Sequence, residues 1–501
     1  MNRGIWTSQE ARAQDHQAQM MGVPYLSLME LAGFQTARLV QRDFPNPRTS
    51  MTIVVGRGSN GGDGLVAARH LAAFYPVSLY IVSEPPTFLG SADLLQAAKT
   101  AGARIDQTLD QDLIIDAVFG TGYHETTRGE LFNEVLDRVY RRNNPVIAVD
   151  LVSRIDADTG AYPYPIGSAV TTITFGATKW GHWGYPGAAA RGKLVLADIG
   201  LPASQDLGDG WVSADAAKDL LPRLNPLGHK YQRGRVVVIG GSENMPGAPA
   251  LSGIAALRAG AGLVTVIVPE GLKSRVQVPS PILLHEAPAR HGSLRWSPKE
   301  TALCQKADVI LIGPGLGSEV PPEVFRDVAG VGRPLVIDAD GLPILGVGLP
   351  EDSRTPLILT PHSGEAGRLL GISAREVDRN RPGAVRELMR KYPGATVILK
   401  GAFSITGSNG RLRVNTTGTP EMATPGSGDV LAGMVAGLLG QRLSAADAAE
   451  LATYWHGWAG EMAAEDVGAT LIATDLIDAL PRAWRRIQSN RISSGTPEIL
   501  T

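Results

Sequence analysis

The sequence predicts an α/β protein of two domains, each with a mostly parallel sheet covered by helices on both faces. Its 501 residues exceed the roughly 100–200 residues of one ordinary domain, which argues against a single core. Short β-rich runs alternate with helical stretches, as in parallel sheets with helical crossovers. The alternation is interrupted once, at a segment rich in glycine and proline over residues 202–226. We therefore expect domains at residues 1–213 and 214–488.

The elements of the first domain follow in a regular order. Residues 11–42 have a helical apolar pattern, which Pro24 divides into two segments. Six β-rich runs then alternate with helical stretches, at residues 52–56, 77–83, 113–119, 146–152, 170–175 and 194–199. This order predicts the first parallel sheet.

A second alternation begins at residue 235. Its β-rich runs are residues 235–239, 264–268, 309–312, 335–337, 357–359, 396–399, 403–406 and 411–414. A long helical stretch rich in Ala, Gly and Leu follows, from Asp429 to about residue 464. Residues 489–501 are polar, and we expect a disordered tail there.

Composition excludes several classes of protein. Lysine and arginine number 47 against 49 aspartates and glutamates, a net charge of −2, so nucleic acid is not an expected partner. No run approaches the roughly 18 apolar residues of a membrane span, and the first ten residues lack the apolar core of a signal peptide. Cys304 is the only cysteine of the sequence, so an internal disulfide and a cysteine-based metal centre are excluded. We expect a cytoplasmic protein that does not bind membranes.

A glycine-rich loop at residues 56–64 follows a strand and opens a predicted helix at 65–73. Gly56, Gly58 and Gly61 fit the dinucleotide fingerprint G-x-G-x-x-G. A purely structural turn remains an alternative at this point. Neither interpretation explains Asn60 and Asp63 within the loop, since an acid beside a pyrophosphate would repel it.

Two more acids, Asp116 and Asp150, lie where other strands of this sheet should end. The carboxyl ends of parallel strands converge on one crevice, so both acids could meet Asn60 and Ser153 there. Oxygen ligands of this kind suit a hard cation, and a spare carboxylate suits proton transfer. Taken singly, each Asp could also be a strand-end cap.

These stretches resemble a known family. LMELAG at 28–33, NGGDG at 60–64, VAARHL at 66–71, DAVFGTG at 116–122, DLVS at 150–153, TFGATK at 174–179 and DIGLP at 198–202 are similar to NAD(P)H-hydrate epimerase domains. The resemblance implies a Rossmann-like three-layer sandwich. The family usually has Asn where Ser59 stands, and Pro and Gly where Val152 and Arg154 stand.

The resemblance also implies the residues of an epimerase site. A monovalent cation, normally K⁺, would be held by Asn60, Asp116 and Ser153, and Asp150 would be the catalytic acid–base. The hydrated nucleotide would contact Ser59, Asn60, Gly61, Gly62, Asp63, Gly120, Thr121, Gly122, Tyr123, His124, Glu125, Thr126 and Asp150.

A second glycine-rich loop, ATPGSGDVLAG at residues 423–433, places small residues and an acid at a helix start. Consecutive N–H groups over residues 426–429 would form an anion hole for phosphoryl transfer. Asp429 could take a proton from an attacking hydroxyl, or could simply cap the helix. The loop resembles the signature of ribokinase-like phosphotransferases.

Neighbouring stretches narrow this resemblance to the ADP- or ATP-dependent NAD(P)H-hydrate dehydratases. They are HK at 229–230, GRVVVIGG at 234–241, AALRAGAGLV at 255–264, IGPGLG at 312–317, DADGL at 338–342, TPHSGE at 360–365 and LKG at 399–401. Ser363 replaces a common proline of the family. The resemblance implies a ribokinase-like three-layer sandwich in which Asp429 is the catalytic base. Substrate contacts would be Ala248, Gly315, His362 and Asp429, and nucleotide contacts Lys400, Gly401, Ala402, Phe403, Ser404 and Gly428.

Together these resemblances predict a bifunctional metabolite-repair enzyme, both isomerase and lyase. The first domain would interconvert R- and S-NAD(P)HX, and the second would dehydrate S-NAD(P)HX with Mg²⁺ and ADP, giving AMP and phosphate. An alternative is a ribokinase-like kinase for a small alcohol, fused to a noncatalytic nucleotide-binding module. We also expect a homo-oligomer, a tetramer or larger.

Overall fold

A computed structural model describes residues 4–82, 86–88, 90–123, 130–141, 143–162, 167–202, 208–223, 225–347 and 355–500. The chain divides into two compact units, Met1–Gly210 with Pro497–Thr501, and Trp211–Thr496. The division falls just before the boundary expected at residue 213. Within the described ranges, no helix is long and apolar enough to cross a membrane.

The first unit is built on a parallel sheet, which has eight strands within its described residues. Their spatial order is Glu498–Leu500, Lys193–Ala197, Thr171–Phe175, Val146–Val149, Leu113–Ala117, Met51–Val55, Val77–Ile81 and Arg104–Ile105. A separate parallel pair joins Ile5–Trp6 to Thr178–Lys179. The described helices are Ser8–Met20, Tyr25–Asp43, Ser59–Leu71, Ser91–Thr100, Glu130–Tyr140 and Gly187–Ala190.

The central strands of this sheet are buried along their whole length and mostly apolar, because both of their faces are covered. Ile53 and Ile115 lie on one face, in a core that also contains Leu65 of the helix Ser59–Leu71. Val54 lies on the other face, packed with Leu136 of the helix Glu130–Tyr140. This confirms the predicted three-layer arrangement.

The second unit contains a larger sheet, ten-stranded within the described residues. The order is Gly210–Trp211, Arg411–Val414, Ile405–Ser408, Ala395–Leu399, Leu357–Leu359, Leu335–Ile337, Val309–Ile312, Arg235–Ile239, Leu263–Pro269 and Ile282–Ala287. The strands from Ala395–Leu399 to Ile282–Ala287 are parallel, whereas Ile405–Ser408 and Arg411–Val414 form antiparallel pairs. A short hairpin joins Ala289–Arg290 to Ser293–Leu294.

Helices cover this second sheet as well. One face packs against Ala248–Arg258, Ser427–Gly440, Ala445–Val467 and Ala473–Gln488, whose apolar residues share one core with the strands. The other described α-helices of this unit are Ala214–Asp219, Pro298–Gln305, Pro322–Gly330, Ser363–Leu370, Ala374–Arg379 and Arg381–Lys391. The α/β class with two sandwich domains is confirmed.

The structure corrects two helix boundaries. The first helix after the glycine loop begins at Ser59 and not at residue 65, so only residues 56–58 form a loop. Glycine at position 61 permits close packing, since a Cβ there would lie 2.0 Å from the Gly56 carbonyl oxygen. The long helix expected from Asp429 is broken near Arg442, whose φ of 70° is left-handed, and Ser444 caps the next helix.

The predicted disordered tail at residues 489–501 is also wrong for its described residues. Glu498–Leu500 pairs in parallel with Lys193–Ala197 at the edge of the first sheet. Arg42 and Lys193 form ion pairs with Glu498, and Leu500 enters the first core. Three residues with backbone pairing on one side are too short to give a periodic apolar signal.

Candidate active sites

The first unit contains a cavity of about 690 Å³ beyond the carboxyl ends of its central strands. The start of the helix Ser59–Leu71 forms one wall, and the segments that follow Leu113–Ala117 and Val146–Val149 form others. Seven of the predicted substrate-contact residues line it: Ser59, Asn60, Asp63, Gly120, Thr121, Gly122 and Asp150. The doubly wound sheet thus brings its glycine loop and one strand-end acid to one crevice.

Three other predicted contact residues, Gly61, Gly62 and Tyr123, are not part of the cavity lining. A Cβ at Gly61 would meet the Gly56 carbonyl oxygen, and one at Gly62 would lie 2.5 Å from the Met29 sulfur. Tyr123 is buried, and its ring centroid lies 5.3 Å from that of Phe119. The predicted contacts His124, Glu125 and Thr126 fall outside the described residues.

Asp116 and Ser153 are in direct contact, in a buried hydrogen-bonded cluster. Ser153 donates to Asp116 through its hydroxyl at 2.7 Å and its backbone N–H at 3.0 Å. The Tyr140 hydroxyl donates at 2.5 Å to Asp116 Oδ2, the oxygen that also accepts from the Ser153 N–H. Burial raises the pKa of Asp116, although these hydrogen bonds act to lower it. Neither Asp116 nor Ser153 lines the cavity.

Asn60 does not hydrogen-bond to that cluster. Its amide oxygen and nitrogen are buried without a partner among the described residues. A Cβ added at Gly120 would lie 3.3 Å from Asn60 Oδ1 and 2.7 Å from Asp150 Oδ2, so both side chains face the same glycine. A buried amide oxygen that accepts no hydrogen bond from the described residues is a ligand of the kind that suits a hard monovalent cation.

Asp150 is the most heavily hydrogen-bonded acid of the cavity. Its carboxylate accepts from Lys179 Nζ at 2.6 Å, Thr174 Oγ1 at 3.0 Å and the Thr121 N–H at 3.3 Å. Burial alone would raise the pKa of Asp150, but the Lys179 ammonium and these hydrogen bonds lower it below its ordinary value. Asp150 is therefore a carboxylate at neutral pH.

Asp63 lies in the same cavity in the opposite electrostatic situation. No hydrogen bond among the described residues reaches its carboxyl. Burial, followed by the charges of Asp150 and Asp15, raises the pKa of Asp63 well above its ordinary value. Two carboxyls whose surroundings shift their pKa values apart have the properties of a base and an acid.

Sequence reasoning missed several groups that complete this cavity. Asp15, Tyr25 and Lys179 all line it, and they come from three separate segments. Lys179 was identified only as part of a resembling stretch, without a role. No spacing along the chain signals these residues, because the fold alone brings them to the crevice.

Arg154 stands where the resembling family usually has glycine, and its side chain does not line the cavity. Arg154 adopts a left-handed φ of 77°, a conformation that glycine takes at no steric cost. Its guanidinium is buried, 2.9 Å from Asp137 Oδ1 and 5.2 Å from the centre of the Tyr162 ring. The side chain thus pairs with the helix Glu130–Tyr140.

The second unit carries the predicted anion loop at the start of the helix Ser427–Gly440. Gly426 caps this helix with a left-handed φ of 87°. No backbone acceptor among the described residues takes the N–H groups of Gly428 and Asp429. Free N–H groups at a helix start bind anions, and the helix dipole adds to the attraction.

Lys400 faces this loop. A Cβ at Gly428 would lie 3.2 Å from Lys400 Nζ, and the same nitrogen lies 2.6 Å from Asp338 Oδ1 and 3.8 Å from Glu365 Oε2. Burial would lower the pKa of Lys400, but the surrounding carboxylates raise it. The structure therefore places a cation beside the predicted anion hole.

Asp429 has the titration expected of a general base. Burial and then the charge of Asp338 raise the pKa of Asp429 to about 7, although the Lys400 ammonium acts to lower it. A base whose pKa lies close to the working pH is efficient at proton transfer. Asp429 is thus suited to the role proposed for it.

The remaining predicted substrate contacts lie in two places. Gly315 has a left-handed φ of 62°, and a Cβ there would lie 2.9 Å from the Cβ of Ala248, so these two residues adjoin. A neighbouring pocket of about 410 Å³ includes Met245 and Leu316 in its wall. His362 is half-exposed and caps the helix Ser363–Leu370, where its Nδ1 accepts from two backbone N–H groups.

The predicted nucleotide contacts from Lys400 to Ser404 form the turn between the antiparallel strands Ala395–Leu399 and Ile405–Ser408. Phe403 takes a left-handed φ of 50° there, and the Ser404 hydroxyl donates to the Gly401 carbonyl oxygen at 2.9 Å. Arg381 donates to the carbonyl oxygens of Leu399 and Lys400. Ala402 completes the turn, which these bonds hold in a fixed shape.

Comparison with known proteins adds independent information. Residues 26–181 match the family described as YjeF-related protein N-terminus, and residues 236–482 match the family described as NAD(P)H-hydrate dehydratase. The bifunctional NAD(P)H-hydrate repair enzyme Nnr of Moorella thermoacetica is 36% identical, covering 93% of each chain. The enzyme of the same name from Escherichia coli is 33% identical, covering 95% of this chain and 93% of its own.

Among solved structures, the ADP/ATP-dependent NAD(P)H-hydrate dehydratase from Bacillus subtilis, co-crystallised with ATP/Mg²⁺, is 26% identical. It covers 57% of this chain and 100% of its own, with a TM-score of 0.47.

Proposed function

Because this chain belongs to the family of bifunctional NAD(P)H-hydrate repair enzymes, we propose that its two sites perform successive steps of one repair. The protein repairs hydrated NADH and NADPH through an epimerase activity and a dehydratase activity. The epimerase reaction takes place in the cavity that contains Asp150. The dehydratase reaction takes place at the loop that contains Asp429. The observation that carries the second assignment is the raised pKa of Asp429 beside free N–H groups and Lys400.

The two acids of the first cavity explain how a hydrate could be epimerised. Water adds to an enamine with its hydroxyl on the carbon next to nitrogen, so the nitrogen lone pair can form a C=N bond as the C–O bond breaks. Asp63 gives the departing hydroxyl a proton, and it leaves as water. Water then returns to the opposite face, and Asp150 accepts its proton. Transfer of that proton back to Asp63 completes the cycle.

We also propose K⁺ as the cation of this site, held by Asn60, Asp116 and Ser153. The support is the buried Asn60 amide oxygen without a partner among the described residues and the buried Asp116 carboxylate. A bound cation would supply positive charge and fix the loop ends around the substrate. Asn60→Ala should remove the dependence of epimerisation on K⁺, measured against Na⁺ at constant ionic strength.

At the second site, MgADP is the proposed phosphoryl donor. Asp429 accepts the proton of the substrate hydroxyl as its oxygen attacks the terminal phosphorus, and AMP leaves. The N–H groups of Gly428 and Asp429 and the Lys400 ammonium stabilise the charge on the phosphoryl oxygens. Phosphate then leaves with the adjacent ring proton, which restores the dihydronicotinamide. Mg²⁺ would be bound together with ADP and would supply positive charge to the phosphates, beside Lys400 and the N–H groups of Gly428 and Asp429.

One absorbance experiment tests both assignments. A racemic hydrate with MgADP should give a fast rise in NADH absorbance to about half of the total, then a slower rise to completion. Asp150→Asn should stop the reaction near half, because only the S form is consumed. Asp429→Asn should abolish both phases. A stable phosphorylated product, instead of NADH and phosphate, would contradict the dehydratase assignment.

A cytoplasmic location is proposed because the single cysteine, Cys304, is a buried free thiol. The homo-oligomer expected from the sequence stays a prediction, to be tested by light scattering of the full chain.

A further inference from the structure

The Lys179 ammonium donates all of its hydrogen bonds to Asp150 and to residues next to it in the structure. Its ammonium lies 2.6 Å from Asp150 Oδ1 and donates also to Thr174 Oγ1 at 2.8 Å and to the Phe175 carbonyl oxygen at 3.1 Å. An ammonium has three donors, and each has a protein acceptor here. The side chain is only 4% exposed. Its charge is therefore fixed against one carboxylate oxygen.

His182 connects the backbone of Lys179 to the backbone of Asp150. Its Nδ1 accepts from the Lys179 N–H at 2.9 Å, and its Nε2 lies 2.8 Å from the Asp150 carbonyl oxygen. The carbonyl only accepts, so the ring is neutral with its proton on Nε2. Burial, followed by the Lys179 charge, lowers the pKa of His182 to about 3. The ring keeps this form at every working pH.

The backbone of Asp150 needs such support. Its φ of 66° is left-handed, which few residues other than glycine adopt without help. The Asp150 N–H donates to the Ile173 carbonyl oxygen at 2.7 Å, and the carbonyl accepts from His182. With both backbone groups bonded, the side chain reaches the cavity wall beside Gly120.

We propose that Lys179 and His182 are positioning residues of the epimerase: Lys179 keeps Asp150 a carboxylate, and His182 fixes the left-handed backbone that aims this carboxylate into the cavity. The inference rests on the proposed role of Asp150. The other titratable and charged groups that share the cavity or its wall with Asp150 are Arg12, Asp15 and His16 on Ser8–Met20, Tyr25 on Tyr25–Asp43, Arg57 and Asp63 around the start of Ser59–Leu71, and Lys179 with His182. Lys179 is the cation that donates to the Asp150 carboxylate, so its loss removes this direct ion pair.

The two residues should fail in different ways. Lys179→Met leaves Asp150 buried near Asp63 and Asp15 without its ion-pair partner, so we expect Asp150 to take up a proton near neutral pH. We expect kcat of the slow phase to fall about tenfold or more at pH 7 and to recover as the pH rises, with KM within about twofold. His182→Asn should lower kcat without changing the shape of the pH profile, since it alters geometry and not charge.

The test uses the full chain, racemic hydrate and MgADP over about pH 5.5–9. The fast phase reports the dehydratase and controls for the second unit, while circular dichroism and thermal unfolding of each variant control for folding of the first unit. Lys99→Met, an exposed lysine on the helix Ser91–Thr100, is the matched control and should change neither phase. A flat pH profile with wild-type kcat in Lys179→Met would overturn the role of Lys179. Wild-type kcat in His182→Asn would overturn that of His182.

Two further arms keep the outcomes distinct. If Asp150→Asn leaves the slow phase intact, the proposed role of Asp150 fails; if it stops that phase while the Lys179 and His182 variants do not alter it, only the present inference fails. If Lys179→Met does not fold, Lys179→Ala with added ethylammonium replaces it. Recovery of the slow phase by the amine supports the inference, and no recovery in a variant whose circular dichroism and thermal unfolding match those of the wild type overturns it.

Discussion

Dehydration of the hydrate should slow as the pH falls, because Asp429 must be ionised to accept a proton. Burial raises the pKa of Asp429 to about 7. A group of this pKa is about 91% ionised at pH 8 and about 9% ionised at pH 6, so the rate should fall roughly tenfold between them. Asp429→Asn removes the base, and loss of a general base typically costs about 10²–10⁴-fold in rate.

The assay is the initial rise of NADH absorbance from S hydrate and saturating MgADP, measured from about pH 5.5 to 8.5. The unit offers a matched control in Glu450 on the helix Ala445–Val467. Burial raises the pKa of Glu450 to about 7 as well, with Arg413 opposing the shift. Glu450→Gln therefore removes a group that titrates in the same range but is not a predicted site residue. This variant should keep the wild-type pH dependence.

Two results would refute the reasoning. A pH dependence that disappears in Glu450→Gln would assign the titration to the wrong acid. Residual activity in Asp429→Asn that still falls about tenfold from pH 8 to pH 6 would assign the titration to the nucleotide phosphates or to another group.

Two stability predictions follow from packing. Gly433→Ala should destabilise the second unit by about 1–3 kcal/mol, because the new Cβ would lie 2.1 Å from the Ser252 carbonyl oxygen of a packed helix. The measurement is thermal unfolding. The control is Gly330→Ala, where a Cβ meets nothing within 4 Å, and this variant should be neutral or slightly stabilising. Leu500→Ala should cost about 2 kcal/mol or more, because Leu500 is buried in the first core. Epimerase activity should then be lost on heating before dehydratase activity, and simultaneous loss at the wild-type temperature would contradict the prediction.

Much of the fold follows from local sequence patterns. Strands such as Val309–Ile312, Leu335–Ile337 and Leu357–Leu359 were predictable to the residue, because a strand buried on both faces is an uninterrupted apolar run between polar turns. Pro24 predicted the break between the first two helices, and the structure places it as the cap before Tyr25–Asp43. Strand Ile282–Ala287 was missed, since its exposed edge carries polar residues.

The two candidate sites also combine features that local sequence predicts with contacts that only the fold creates. The glycine loops and the strand-end acids are local features, and their positions were predictable. The contacts that tune them are not local: Lys179 meets Asp150, and Lys400 meets Asp338, only because separate strands end at one crevice. No periodicity encodes which lysine faces which carboxylate, so the charge state of each acid had to come from the structure.

The return of Glu498–Leu500 to the first sheet has a consequence for synthesis. A ribosome makes all the other described strands of that sheet before it makes Trp211–Thr496. The strand that pairs with Lys193–Ala197 is made only after this second unit. During translation the nascent first unit therefore exposes an unpaired strand edge, which is a template for aggregation. The first unit begins to form first and gains this edge strand last, so chaperones should bind chains stalled before residue 498 and should be released once Glu498–Leu500 pairs with Lys193–Ala197.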